Sequence, residues 1–338
     1  MEIGSEKRPP DGPQAVAAEE LPAADPYPGA LTARFAAYDD FLPDDEAEAL
    51  RDPIDVHFSE PHQHRVDTHY VWNYWYVPGL YTYLRALPER VIPYERVAAF
   101  HAALTRWAGE TLGLAKVTWP TLSLYVDGCG QGIHNDSSNG RFGYVYSLTR
   151  NHRQSRGGET IVFKEGDPFR SRMSRADAGI GLYDLVPPVF NRLVLFDDRM
   201  PHGVQRIEGS MDPTDARIVL HGHISEAGPI MTGPLPARIV EAARDAALKS
   251  ALAALPETGD LHHGPLTVRL EIAPHGRVSE CRIILHRVAR SDGGSGDALV
   301  DAIVDCLSIA RFPPAAGPTV AILPILTGAP LVLAYEPI

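Results

Sequence analysis

Between residues 119 and 226 the apolar positions come in short runs: "TLSLYVDG", "GYVYSLTR", "GGETIVF", "NRLVLFDD", "HGVQRI" and "ARIVLHGHI". Gly, Asn, Pro and Asp separate them, and runs of this length bounded by turn formers read as strands. So many in succession predict a sandwich or barrel with the helices packed outside it. Upstream the period is different. In "PYERVAAFHAALTRWAGETLG" (93–113) Val97, Phe100, Leu104, Trp107 and Leu112 fall on one face, which predicts a helix that Gly113 closes. "YDDFLPDDEAEALRD" (38–52) predicts a leading strand or turn and then a short helix. Pro43 lies near its first position, and acids follow at its positive end. The aromatic-rich "WNYWYVPGLYTYLR" (72–85) reads mainly as core packing, with the lining of a substrate mouth as the alternative.

After "SEAGPIMTGPLP" (225–236) the pattern changes again. Ala237–Leu255 predicts a helix. "LTVRLEIAPHGRVSECRIILHR" predicts two alternating strands about a His-Gly turn, as in a hairpin. A helix over 296–310 carries Leu299, Val300, Ile303, Val304 and Leu307, and "TVAILPILTG" supplies a third strand. This is a small α+β unit, with the Gly/Pro-rich 227–236 segment as its linker. At the other end, the first 28 residues hold six acids, two bases and six prolines, a composition that predicts a disordered tail. The expected organisation is a tail over 1–28, an all-β core with flanking helices over 29–228, and a small C-terminal α+β domain over 229–338.

Composition narrows the function classes. A formal net charge of -12 excludes a nucleic-acid binder working through bulk positive charge. No stretch approaches the roughly 18 uninterrupted apolar residues of a membrane span, and the first residues lack the apolar centre of a signal peptide. Three cysteines, Cys129, Cys281 and Cys306, form no close pair. They support neither a disulfide framework nor a thiolate zinc site, and they fit a cytoplasmic location.

The candidate chemistry sits inside the strand-rich region. His134 and Asp136, in "GQGIHNDSSNG", are two apart and on a strand point the same way, so both can reach one cation. With 14 histidines in the chain, about one such pair is expected by chance, and the spacing alone carries little. What adds weight is His202 in "FDDRMPHGVQRI", directly after "NRLVLF" and opening the next strand. Two imidazoles and one carboxylate leave further positions on an iron open, the 2-His-1-carboxylate pattern of non-haem Fe(II) oxygenases; a closed zinc site would want a fourth protein ligand. Arg217, in "DARIVLHGHI", would point into an apolar barrel and needs a partner for its charge. A dicarboxylate co-substrate would supply one through a two-pronged salt bridge. Tyr125, on the strand before His134, could donate a hydrogen bond to the same ligand.

In the order Tyr125, His134-x-Asp136, "SLT", Gly157-Gly158-Glu159-Thr160, "NRLVLF", His202-Gly-Val and Arg217, the chain resembles the 2-oxoglutarate- and Fe(II)-dependent oxygenases, in particular their prolyl-hydroxylase-like branch, over residues 38–226. The resemblance implies a double-stranded β-helix, or jelly roll. It implies iron on His134, Asp136 and His202, and the distal carboxylate of 2-oxoglutarate on Arg217 with Tyr125 assisting. It also implies a reaction with O2 that yields succinate and hydroxylates an unactivated C–H bond. Two features depart from that branch: the His202–Arg217 interval carries "EGSMDPTD", and Ser147 stands where many relatives have tyrosine. A peptide or protein side chain is the substrate expected first. The alternatives are a free amino acid or small secondary metabolite and, in another class, a non-catalytic ligand- or partner-binding protein.

Other features read more plainly. "HQH" (62–64) and "HGH" (221–223) are expected to be a solvated loop and a strand edge, and Asn139-Gly140 a turn. Arg150, Arg153, Arg156, Lys164, Arg170, Arg172 and Arg175 are expected on solvated loops, with steering of an acidic substrate as the sharper alternative. Over 237–330, the Gly-x-Val turn of "GRVSECRIILHR" and the Arg-Phe-Pro-Pro-Ala stretch resemble the C-terminal domain of TonB-type energy transducers and gliding-motility proteins. That resemblance implies a sheet edge able to accept a peptide strand, against a dimerising or stabilising role.

Overall fold

The computed structural model describes residues 27–59, 70–150, 155–163, 182–255 and 261–328. The tail expected over 1–28 lies, but for its last two residues, outside the described residues, and so does "HQH" (62–64).

The chain opens with β1 (Phe35–Tyr38) and α1 (Asp44–Ser59), then a hairpin of β2 (Asn73–Val77) and β3 (Tyr81–Ala86). Helix α2 (Tyr94–Thr111) and the two-residue strand β4 (Lys116–Val117) follow. Next come β5 (Thr121–Tyr125), β6 (Gly130–His134), β7 (Phe142–Ser147), β8 (Thr160–Phe163), β9 (Tyr183–Val186), β10 (Leu193–Asp197), β11 (His202–Val204) and β12 (Arg217–Ser225). These eight strands form two antiparallel rows, β10-β7-β12-β5 and β6-β11-β8-β9. Except at β8 and β9, which pair with each other within one row, the chain alternates between the rows as a jelly roll does. Strand β3 pairs with both β5 and β6 and closes one side of a nearly complete barrel.

Period-2 alternation sorts the side chains. On β7, Phe142, Tyr144 and Tyr146 are buried in the cluster that also takes Leu50 and Ile54 of α1 and Phe100 and Leu104 of α2. The two helices therefore cover the outer face of one row, as their apolar stripes require. The hairpin departs from the core reading of its aromatics. Strand β2 pairs with β3 alone, and its five residues, Tyr74, Trp75 and Tyr76 among them, are exposed. Only β3 contributes to the core, through Tyr83 and Ala86.

The C-terminal unit contains β13 (Ile230–Thr232), α3 (Ala237–Ala254), β14 (His262–Ile272), β15 (Val278–His286), β16 (Ala289–Arg290), α4 (Asp297–Ser308) and β17 (Thr319–Thr327). Its sheet runs β13-β17-β14-β15, with α3 and α4 packed against Leu266, Val268, Leu270 and Ile272 of β14. The expected linker is part of this sheet, because β13 pairs with β17. At the hairpin turn Gly276 has φ of 81°, and a Cβ there would lie 1.9 Å from Phe312 O, so only glycine fits.

The two units meet through specific groups. Leu31 pairs with Leu285 of β15, donating to Ile284 O at 2.8 Å, and Leu285 belongs to the barrel's own core cluster. The Asp197 carboxylate, wholly buried, accepts from Arg199 and from Arg287 beyond β15, at 2.6 and 3.1 Å. Arg199 in turn donates to the carbonyls of His263 and Arg287. Among the described residues no helix is long and apolar enough to cross a membrane.

Candidate active site

The cavity lies inside the barrel and measures about 240 Å³. His134 ends β6 and His202 begins β11, and the antiparallel register sets them directly opposite each other. Asp136 follows in the turn, its backbone N–H donating to Asp198 O at 2.9 Å. Ligand atoms of His134, Asp136 and His202 all lie within 4.8 Å of one another. Asp136 Oδ2 is 3.3 Å from His202 Nε2 and 3.9 Å from His134 Nε2. Each imidazole has its other nitrogen on a backbone carbonyl: His134 Nδ1 donates to Gly132 O at 2.8 Å and His202 Nδ1 to Met200 O at 2.9 Å. Those bonds fix the tautomer and turn both Nε2 lone pairs toward the carboxylate. Asn139 Nδ2 donates to Asp136 Oδ1 at 3.1 Å, so each carboxylate oxygen has its own neighbour.

The electrostatics favour a cation at this point. Burial pushes the Asp136 carboxyl up, but the His202 imidazole against it and the His134 and His223 rings nearby outweigh burial and hold it at about 2. Burial, with the neighbouring His202, pushes His134 below its ordinary value. A carboxylate and an unprotonated imidazole are the forms that bind a metal.

Arg217 begins β12 and is 2% exposed. Its Nη2 donates to Thr160 Oγ1 at 3.2 Å, while Nε and Nη1 have no acceptor. The guanidinium lies 4.8 Å from the Tyr125 ring centre, Tyr125 being its register partner on β5. Tyr125 in turn stacks on Tyr83 at 4.9 Å. The five residues singled out in the sequence all line this one cavity.

Other residues there were not foreseen. Arg217, Val219, His221 and His223 alternate onto one face of β12, and all four line the cavity. The "HGH" stretch is no sheet edge, because β12 sits between β5 and β7. Period 2 counted onward from Arg217 would have placed both histidines. His221 Nε2 meets Ser123 Oγ at 2.8 Å, and burial, then the charge of Arg85, pushes it down to about 3, so it is neutral. His223 Nδ1 meets Asp198 Oδ2 at 3.0 Å. Burial pushes that carboxyl up to about 6 against the pull of His223. Trp75, Tyr81, Tyr83 and Arg85 of the hairpin complete one wall.

Several sequence candidates fall elsewhere. Ser147 is buried outside the cavity lining, its N–H on Arg192 O. Arg150 is tied to Glu48, Asp52 and Asp55 of α1, which leaves it no steering role. Arg153, Lys164, Arg170, Arg172 and Arg175 lie outside the described residues.

No family model matches the sequence, and no curated protein matches it. Among solved structures the chain is similar to a prolyl hydroxylase from Trichoplax adhaerens in complex with a hypoxia inducible factor oxygen degradation domain peptide fragment. The identity is 15% over 56% of this chain and 82% of that one, with a TM-score of 0.40. It is similar to a Pseudomonas putida prolyl-4-hydroxylase at 20% identity, over 58% and 95% of the two chains, TM-score 0.38. It is also similar to SnoK, a non-haem alpha ketoglutarate dependent carbocyclase from nogalamycin biosynthesis, at 14% identity over 57% and 80%, TM-score 0.38. These are distant likenesses in shape.

Proposed function

We propose that the chain is an Fe(II)- and 2-oxoglutarate-dependent dioxygenase that hydroxylates an unactivated C–H bond. The observation that carries this reading is Arg217. A buried guanidinium with two nitrogens, Nε and Nη1, lacking an acceptor among the described residues is costly unless a ligand completes it. It lines the same cavity as two imidazole Nε2 atoms and a carboxylate. One small molecule satisfies both ends: a dianion with a metal-chelating 2-oxo acid at one end and a second carboxylate for Arg217 at the other. The donor set fits Fe(II), since nitrogen and oxygen ligands suit it and three protein ligands leave positions for other groups.

His134, Asp136 and His202 would hold the metal. Arg217, with Thr160 beside it and Tyr125 against it, would bind and orient the distal carboxylate. Bound there, Fe(II) and 2-oxoglutarate would supply the oxidising chemistry, O2 giving succinate, CO2 and a hydroxylated substrate. The chain's own share is orientation and exclusion of water. Gly132 O and Met200 O hold the imidazole rings, and Phe196 and Val219 line the cavity with apolar surface.

A peptide or protein side chain is the first choice of substrate, with a free amino acid or small secondary metabolite second. The exposed aromatic strand β2 beside the cavity supports a ligand that extends past the mouth. In the C-terminal unit, β15 pairs with β14 on one edge, and among the described residues Leu31 occupies its other edge only at Ile284–His286. The remaining stretch, Val278–Ile283, supports a peptide-docking role of the kind the TonB-like resemblance implies. The test of the whole reading is anaerobic loading with Fe(II) and 2-oxoglutarate, then O2. Succinate should form in proportion to the Fe(II) bound, slowly without a primary substrate. No succinate from the metal-loaded full chain would overturn it.

A further inference from the structure

The cavity holds a second guanidinium to which the proposed function gives no role. Tyr81, Tyr83 and Arg85 alternate onto one face of β3, and all three line the cavity. Arg85 lies opposite Ser123 of β5 in the register. Its guanidinium stands 5.0 Å from the centre of the Trp75 ring. Its polar neighbours are the Tyr83 hydroxyl and, at 3.5 Å, Thr121 Oγ1. Both are neutral and the second is at the limit of a bond. Among the described residues no carboxylate pairs with it, although Arg141 and Arg192, half-buried as it is, each have one.

The charge balance of the cavity makes this informative. Among the described residues that line it, Asp136 is the one carboxylate, against Arg85 and Arg217. Fe(II) and the 2-oxoglutarate dianion carry equal and opposite charges, so filling the site leaves the positive excess in place. The two cations also differ in depth: Arg217 is fully buried, whereas Arg85 is half-buried beside the exposed Trp75. The deeper one suits a co-substrate that enters first, and the shallower one a substrate that enters after it. A half-buried guanidinium kept without a counter-ion finds its best partner in a planar, two-oxygen anion.

We infer that Arg85 anchors a carboxylate of the primary substrate, with the Tyr83 hydroxyl and Gln131 beside it and the Trp75 ring against the guanidinium. This rests on the proposed function for the identity of the co-substrate, and not for the anion site itself. The substrate class is thereby narrowed to carboxylate-bearing molecules. The carboxylate is that of a free amino acid or similar small acid, or an acidic group on a peptide.

The test uses the full chain and two probes of one shape, benzoate and benzamide, titrated calorimetrically with and without anaerobic Fe(II) and 2-oxoglutarate. Benzoate should bind about tenfold or more tighter than benzamide in the loaded protein, where Arg217 is already engaged. Arg85→Gln should remove that preference, and Arg85→Lys should keep part of it. Equal binding of the two probes would overturn the inference, as would a preference that survives Arg85→Gln. It also fails if Arg85→Gln weakens 2-oxoglutarate binding as strongly as Arg217→Gln does, since Arg85 would then belong to the co-substrate. Should the wild-type chain show no Fe(II)-dependent 2-oxoglutarate binding, the proposed function fails, while an Arg85-dependent preference for benzoate in the protein alone still stands. Stimulation of succinate formation by free amino acids or by acidic peptides then separates the two sources. Stimulation by their neutral amides to the same degree contradicts the inference.

Discussion

Two imidazole nitrogens, one carboxylate and two guanidinium nitrogens without an acceptor among the described residues carry the proposed chemistry. His134 and His202 are held in position by Nδ1–H bonds to the carbonyl two residues earlier in the chain. His134→Ala, Asp136→Ala and His202→Ala should each abolish Fe(II)-dependent succinate formation, because affinity depends on the full ligand set. Circular dichroism and calorimetric titration with Co(II) check this, the expected outcome being a folded chain with greatly weakened metal binding. Arg217→Gln should behave differently. The metal should still bind, but 2-oxoglutarate should lose on the order of 2–5 kcal/mol, tens- to thousands-fold in affinity, as expected when one partner of a buried charged pair is removed. Arg192, the arginine that opens the β10 run, forks onto Asp39 and cannot take over.

Strands and helices were the more legible part of the sequence. Turn formers punctuate 119–226 so regularly that β5, β7, β8, β10 and β12 fall where the apolar runs are, and the expected apolar stripes of α2 and α4 pack into the two cores. The i, i+2 rule that joined His134 to Asp136 applies equally to Arg217, His221 and His223. The two later histidines were missed because an edge was assumed where the sheet has a central strand. Local pattern gives a strand's faces and not its neighbours, which are set by pairing partners far away in the chain. For the same reason the placement of β3 between β5 and β6 was illegible, and Arg85 with it. Gly113 shows what was legible in part. As the residue closing α2 it was expected, and its φ of 67° fits that role. Its other duty was hidden: a Cβ there would stand 2.1 Å from Thr267 Cγ2 and 2.6 Å from Ile322 Cγ2, on the C-terminal sheet. Gly113→Ala should therefore cost more than the roughly 1 kcal/mol of the left-handed conformation alone, measured by denaturant unfolding. A cost below that would mean that the two units do not press together at this point.

At the scale of the whole molecule the C-terminal unit is fastened to the segment that shapes the proposed metal site. Asp197, which binds Arg287, precedes Asp198 and Met200, whose carbonyls hold Asp136 N–H and His202 Nδ1–H. Arg287→Met should lower stability by roughly 1.5–3 kcal/mol, the range for a hydrogen bond to a charged group. Burial raises the Asp197 carboxyl, but Arg199 and Arg287 outweigh it and hold it below its ordinary value. Its contribution is thus present above the ordinary carboxylate range, about pH 4, and is lost as pH falls through the depressed value. The Arg287→Met deficit should accordingly shrink in acid. A deficit that is independent of pH down to that range and below would contradict the assignment. The central claim is that one cavity binds a metal at one end and a dicarboxylate at the other. Its most direct measurement is anaerobic equilibrium dialysis of 2-oxoglutarate, with and without Fe(II), on the wild type, His202→Ala and Arg217→Gln. The wild type should bind one equivalent, tightened by Fe(II); His202→Ala should lose the metal's effect, and Arg217→Gln should bind weakly in either condition. Binding of 2-oxoglutarate that responds to neither the metal nor Arg217 would contradict the account.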